Sequence, residues 1–69
     1  MDRQEKAQQV GAKLRELRDI RPKTGVAKAC GLSYSALCKF ESGLRLPRKE
    51  SLEKLAKYYG VSPDDIFSP

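Results

Sequence analysis

The stretch Gly31-Leu-Ser-Tyr-Ser-Ala-Leu-Cys-Lys-Phe-Glu-Ser-Gly43 constrains the fold more than any other part of the chain. Ser33 is placed to cap a helix, its hydroxyl accepting from a first-turn amide that has no partner within the helix. Gly43 supplies the left-handed residue that ends one. The spacing therefore predicts a short helix over residues 34–42. At 3.6 residues per turn, Leu37, Phe40 and Glu41 share one face, while Ser35, Cys38, Lys39 and Ser42 share the opposite one. The first face fits a core. The second is free to meet a partner.

The rest of the chain is punctuated in the same way. Residues 2 to about 20 read as one helix, with Ala7, Val10, Leu14 and Leu17 spaced by three and four and Arg18 at the edge of that stripe. The earliest residues are expected to fray, and Gly11 to mark a close approach by another helix. Pro22 breaks this helix. A second helix, about Lys23 to Cys30, carries the small residues Val26, Ala27, Ala29 and Cys30 and stops at Gly31. Only Gly31-Leu-Ser33 separates it from the third helix, so the two must turn sharply, as in a helix-turn-helix unit. Leu44 to Lys49 contains Pro47 and has no helical period, which predicts a loop. A fourth helix follows, about Lys49 to Tyr59, with Leu52, Leu55, Ala56 and Tyr59 on one face. Ser62-Pro-Asp-Asp65 starts a fifth, with Ser62 as N-cap and acids at the positive end of the helix dipole. The expectation is an all-α fold of five short helices in a single domain, 1–69.

A chain of 69 residues holds one small core. Two cysteines without a histidine cannot complete a four-ligand zinc site, and Cys30 and Cys38 are expected to be reduced thiols. The charged first helix is unlike a secretory leader, and no apolar run reaches membrane-spanning length. A cytoplasmic location, with no membrane partner, follows as an expectation. Charge is unevenly distributed. Residues 1–20 carry five basic and four acidic side chains, residues 21–49 seven and one, and residues 50–69 two and four. The net values are +1, +6 and −2. The positive excess lies around the Gly31–Gly43 stretch, an electrostatic footprint for a polyanion.

The ordered set Leu14-Arg-Glu-Leu-Arg18, Val26-Ala27, Gly31-Leu-Ser33, Leu37 with Phe40-Glu-Ser-Gly43, Pro47, Leu52 with Leu55-Ala56, and Gly60-Val-Ser62 resembles the lambda repressor-like, Cro-repressor type of helix-turn-helix domain. These are bacterial and phage DNA-binding regulators, including the xenobiotic response element family. The resemblance spans roughly residues 10–67. Two departures stand out. The connection from Arg18 to Val26 is two residues shorter than is usual in the family. The second helix opens with Pro22-Lys23 where relatives carry Thr-Gln, whose glutamine touches a DNA phosphate and braces the recognition helix. Lys23 can keep the phosphate contact but, lacking an acceptor, cannot copy the brace.

The resemblance implies a sequence-specific transcriptional regulator on double-stranded DNA, a repressor type, with the 34–42 helix in the major groove. Its base-facing candidates are Ser33, Tyr34, Ser35 and Lys39; for Ser33 and Tyr34, capping and packing over the first turn are alternative roles. Phosphate or minor-groove candidates are Lys23, Lys28, Ser42, Arg45, Arg48 and Lys49. Arg18 and Glu41 occupy positions that pair as a structural salt bridge. Relatives pair through their C-terminal helices, so a homodimer on a two-fold symmetric operator is implied, with Tyr58, Val61, Ile66 and Phe67 as dimer candidates or, alternatively, as residues that finish the core. Cys38 on the outward face raises a redox switch, which equal DNA affinity with and without peroxide would remove. An antitoxin-like protein-binding module with secondary DNA binding is the competing function. No cofactor, metal or small-molecule ligand is expected. Nor is an enzyme: the chain lacks histidine, a phosphate-cradling glycine loop and a converging pair of acids.

Overall fold

Asp2 begins the first helix as its N-cap, its carboxylate accepting from the Glu5 amide at 2.8 Å. In the computed structural model, which describes residues 2–68, α1 (Arg3–Arg18) is followed by α2 (Lys23–Cys30), α3 (Tyr34–Ser42), α4 (Lys49–Tyr59) and α5 (Pro63–Phe67). The fold is all-α among the described residues, as the periodicity predicts. Ser33 caps α3 by accepting from the Ala36 amide at 3.0 Å. At α5 the cap is reciprocal: the Asp65 amide donates to Ser62 Oγ at 3.2 Å and the Ser62 amide to Asp65 Oδ2 at 3.1 Å. The N-caps of α2 and α4 are Pro22 and Arg48, neither of which makes a side-chain capping bond.

α1 is shorter than the periodicity predicts at both ends, and its C-terminus is the informative one. It stops at Arg18 because Asp19 takes φ 55° and ψ −121°. The Arg21 amide then bonds the Arg18 carbonyl at 3.0 Å, closing a tight turn over residues 18–21. A positive φ at the first central position is the geometry of a type II′ turn, which glycine normally supplies. This turn is how the connection to α2 is made so short.

Each helix sends at least one branched or bulky side chain to a common centre. Val10 and Leu14 of α1, Val26 of α2, Leu37 of α3, Leu55 of α4 and Ile66 of α5 are all buried to 1% exposure or less. Side chains of this kind stabilise by about 1.5–3 kcal/mol each on full burial. Of the two roles expected for Ile66, pairing with a second copy or finishing the core, its burial corresponds to the second. In a helix as short as α5 periodicity does not separate the inward side chain from its neighbours, and it is Ile66 that faces in while Phe67 stays exposed. Phe67 lies beneath Lys6 of α1, whose Nζ is 4.3 Å from the ring centroid.

The packing that positions α3 is its contact with α1, the most extensive between any two helices. Gly11 makes it possible. A Cβ built there would stand 2.6 Å from the Phe40 carbonyl oxygen and 2.7 Å from that of Glu41. Both are backbone atoms of α3 that cannot step aside. At the end of α3, Gly43 has φ 80°, and a Cβ there would meet Gln8 Cγ at 2.9 Å. The two helices thus cross with a glycine at each point, Gly11 against backbone carbonyls of α3 and Gly43 against Gln8 of α1.

Candidate nucleic-acid interface

α3 divides as its sequence predicts. Leu37, Phe40 and Glu41 are buried, whereas Ser35, Lys39 and Ser42 are exposed and Cys38 is half-buried. The exposed set repeats at positions three and four apart, so it forms one continuous face. Tyr34 is half exposed at the first turn. Ser33 is exposed while capping; its hydroxyl proton is not committed by that bond, so it can also donate outward. Ser42 Oγ donates to the Lys39 carbonyl at 3.2 Å.

The basic residues of this segment lie on the elements that precede and follow α3 in the chain. Lys23, half-buried, is the first residue of α2, and Lys28 is exposed near that helix's end. Arg45, Arg48 and Lys49 are exposed along the α3–α4 connection, and the Arg45 amide is tied to the Lys39 carbonyl at 3.3 Å. That bond seats the loop directly on the last turn of α3. Arg45 also lines an open groove of about 440 Å³ with Leu44, Leu46 and, from α1, Arg3, Gln4 and Ala7. Arg3 at this groove lies outside the sequence-derived set, because a charge at a helix start has no signature beyond its sign. Tyr58 and Phe67 are partly exposed, and Val61 is half-buried.

Glu41 is the organising acid. Its carboxylate is 1% exposed as a residue and accepts from Arg18 Nε at 2.8 Å. Arg18 also donates through Nη1 to the Arg21 carbonyl at 2.7 Å, so one guanidinium joins α1, α3 and the turn before α2. The hydrogen bond to Glu41 raises the Arg18 pKa, against the opposing effect of burial. Arg15 donates through Nη1 to the Glu41 backbone carbonyl, a contact that sequence reasoning missed. A side chain that seeks a backbone oxygen leaves no matching residue to look for.

Tyr59 packs beside this pair. Arg21 lies 5.7 Å from its ring centroid and 5.6 Å from that of Tyr58, while the two tyrosine rings meet edge to face at 5.2 Å. Burial first, and the Glu41 carboxylate second, push the Tyr59 phenol up to about 12. Burial also raises the Cys30 thiol. Both cysteines are free.

Residues 12–66 match the profile described as Helix-turn-helix. The chain belongs to that helix-turn-helix family. Its lambda repressor-like character is carried by the relatives. A transcriptional repressor of the cryptic phage CTXphi, RstR of Vibrio cholerae, is 36% identical over 59 residues, which are 83% of this chain and 53% of the relative. The chain thus spans about half the length of that protein. Among solved structures, the restriction-modification controller protein C.AhdI from Aeromonas hydrophila superposes with a TM-score of 0.81 at 28% identity, covering 88% of this chain and 96% of its own. The P22 c2 repressor, solved in complex with a synthetic operator, superposes with a TM-score of 0.79 at 30% identity over the same shares of the two chains. No helix among the described residues is long and apolar enough to cross a membrane.

Proposed function

We propose that this helix-turn-helix domain is a sequence-specific DNA-binding transcriptional regulator that reads base edges with α3 and binds as a homodimer to a two-fold symmetric operator. The observation that carries this reading is the division of α3: one face buried to anchor it, the other exposing Ser35, Lys39 and Ser42 within the basic part of the chain. A helix fits the major groove and presents its early residues to base edges. Ser33, Tyr34, Ser35 and Lys39 take that role, Lys39 as a donor to guanine, the serines to several bases and Tyr34 at a thymine methyl or a phosphate. Lys23, Lys28, Ser42, Arg45, Arg48 and Lys49 hold the flanking phosphates and set the register. The likeness to a repressor solved on its operator and to a phage repressor supports the assignment.

The test is binding to a random duplex pool and to the sequence selected from it, across a salt series. The expected result is a steep salt slope together with a selected sequence bound about 10³-fold or more tighter than bulk. Lys39→Ala should relax base preference, whereas Arg45→Ala should weaken all sequences alike and reduce the salt slope by about one. A protein that prefers no sequence but co-purifies stoichiometrically with another polypeptide would instead be an antitoxin-like binding module.

A further inference from the structure

The C-terminal carbonyls of a helix have no partners within it and are met by the following loop, by water or by side chains from elsewhere. At α3 the Lys39 carbonyl accepts from the Leu44 and Arg45 amides, and the Phe40 carbonyl from the Gly43 amide. The Glu41 carbonyl is met differently, by the guanidinium of Arg15, which crosses from α1. Arg18, one turn farther along α1, takes the Glu41 carboxylate. Gly11, one turn before Arg15, sets the α1 backbone against the Phe40 and Glu41 carbonyls. Residues 11, 15 and 18 form one helical row, and all three bear on the last turn of α3. A cation there also complements the negative end of the α3 dipole.

We infer that Arg15 is a positioning residue for base reading: it pins the C-terminal end of α3 through its backbone and so fixes the angle at which the first turn enters the groove. This rests on the base-reading role of α3 proposed above. The leverage is geometric. Nine residues of helix span roughly 12 Å at about 1.5 Å per residue, so a tilt of about 10° at the pinned end moves the first turn by roughly 2 Å. Hydrogen bonds to bases tolerate only about 0.5 Å. Arg18 reaches α3 through the Glu41 side chain, with its rotatable bonds in between, whereas Arg15 bonds the Glu41 carbonyl, which is part of the helix backbone itself. The two arginines therefore do separate work, and Arg15 needs no contact with DNA to do it.

The experiment compares the full chain with Arg15→Met, which keeps the aliphatic stem and removes the donors, and Arg15→Lys, which keeps a charged donor. Each is titrated with the selected duplex and with a random duplex of equal length, across a salt series. R15M should lower the ratio of selected to random affinity by about tenfold at an unchanged salt slope, and R15K should recover most of that loss. A uniform loss on both duplexes with the slope reduced by about 0.9 would make Arg15 a phosphate ligand and overturn the inference. So would an unchanged ratio, or failure of R15K to recover it. Amide resonances of the free protein test the same point without DNA: R15M should shift Tyr34 to Ala36, at the far end of α3, and a response confined to Gly43–Arg45 would overturn the inference. If the unsubstituted chain does not distinguish the two duplexes, it is the base-reading role that fails, while the resonances still decide whether Arg15 sets the pose of α3.

Discussion

Asp19 carries the one positive φ among the described non-glycine residues. Its conformation costs of order 1–3 kcal/mol in strain. Asp19→Gly should relieve that strain at some cost in chain entropy, for a net gain of about 1 kcal/mol and a rise in Tm of about 4–8 °C in a domain of this size. Thermal unfolding followed by circular dichroism measures it, and an unchanged or lower Tm would show that the turn is not strained. Tyr59 gives a second residue-scale expectation. Its phenol moves from an ordinary value of 10.0 up to about 12 in the fold. The neutral form is favoured by folding, so this contribution is whole below pH 10 and is lost as the pH rises through about 12, because the unfolded chain ionises first. Stability should therefore fall in that window. The hydroxyl is buried with no hydrogen-bond partner among the described residues, so Tyr59→Phe should flatten the alkaline fall and leave neutral-pH stability unchanged or up to about 1 kcal/mol higher. A loss of more than that would mean the hydroxyl is bonded in solution.

At the scale of elements, α3 is held by charge as well as by packing. The Glu41 side chain is 2% exposed and that of Arg18 17%, so removing either partner leaves the other a charge largely withdrawn from solvent. Arg18→Ala or Glu41→Ala alone should cost roughly 3–5 kcal/mol, and the double variant well under the sum of the two. Denaturant unfolding of the cycle measures the coupling; additivity would reduce the pair to a loose surface contact. Most element boundaries were legible because glycine, proline and serine mark helix ends by mechanism: Gly31, Gly43 and Gly60 all take left-handed φ where a helix stops. The end of α1 was not, because an aspartate occupies the turn position that glycine would have announced. The Arg18–Glu41 pair could be anticipated because both partners are side chains. Arg15 could not, since its acceptor is a carbonyl that every residue has. In α5, which helix face turns inward depended on how the helix docks, and no repeat long enough to reveal that exists in five residues.

For the whole molecule, the uneven charge of the sequence is distributed by element. The basic segment supplies α2, α3 and the loop that follows, and the net-acidic segment supplies α4 and α5. Long-range attraction to a polyanion is therefore directed at one part of the fold, and salt should weaken it steeply. Pairing of two copies belongs to this scale as well. With Ile66 committed to the core, the proposed dimer surface rests on Tyr58, Val61 and Phe67, of which Tyr58 is the more open aromatic at 39% exposure. Tyr58→Glu should weaken binding to a duplex carrying two half-sites by about tenfold or more, with binding to a single half-site little changed, as measured by titration of both. Equal effects on the two duplexes would place Tyr58 outside the pairing surface.

The outward face of α3 has a consequence for how such a molecule changes over time. Ser35, Lys39 and Ser42 are exposed, and exchanges at exposed sites without special geometry usually shift stability by less than about 0.5 kcal/mol. The scaffold is secured from the other side by Leu37, Phe40 and Glu41. The surface offered to a partner can thus be rewritten residue by residue while the chain keeps folding, so new target preferences are reachable through intermediates that are all viable proteins.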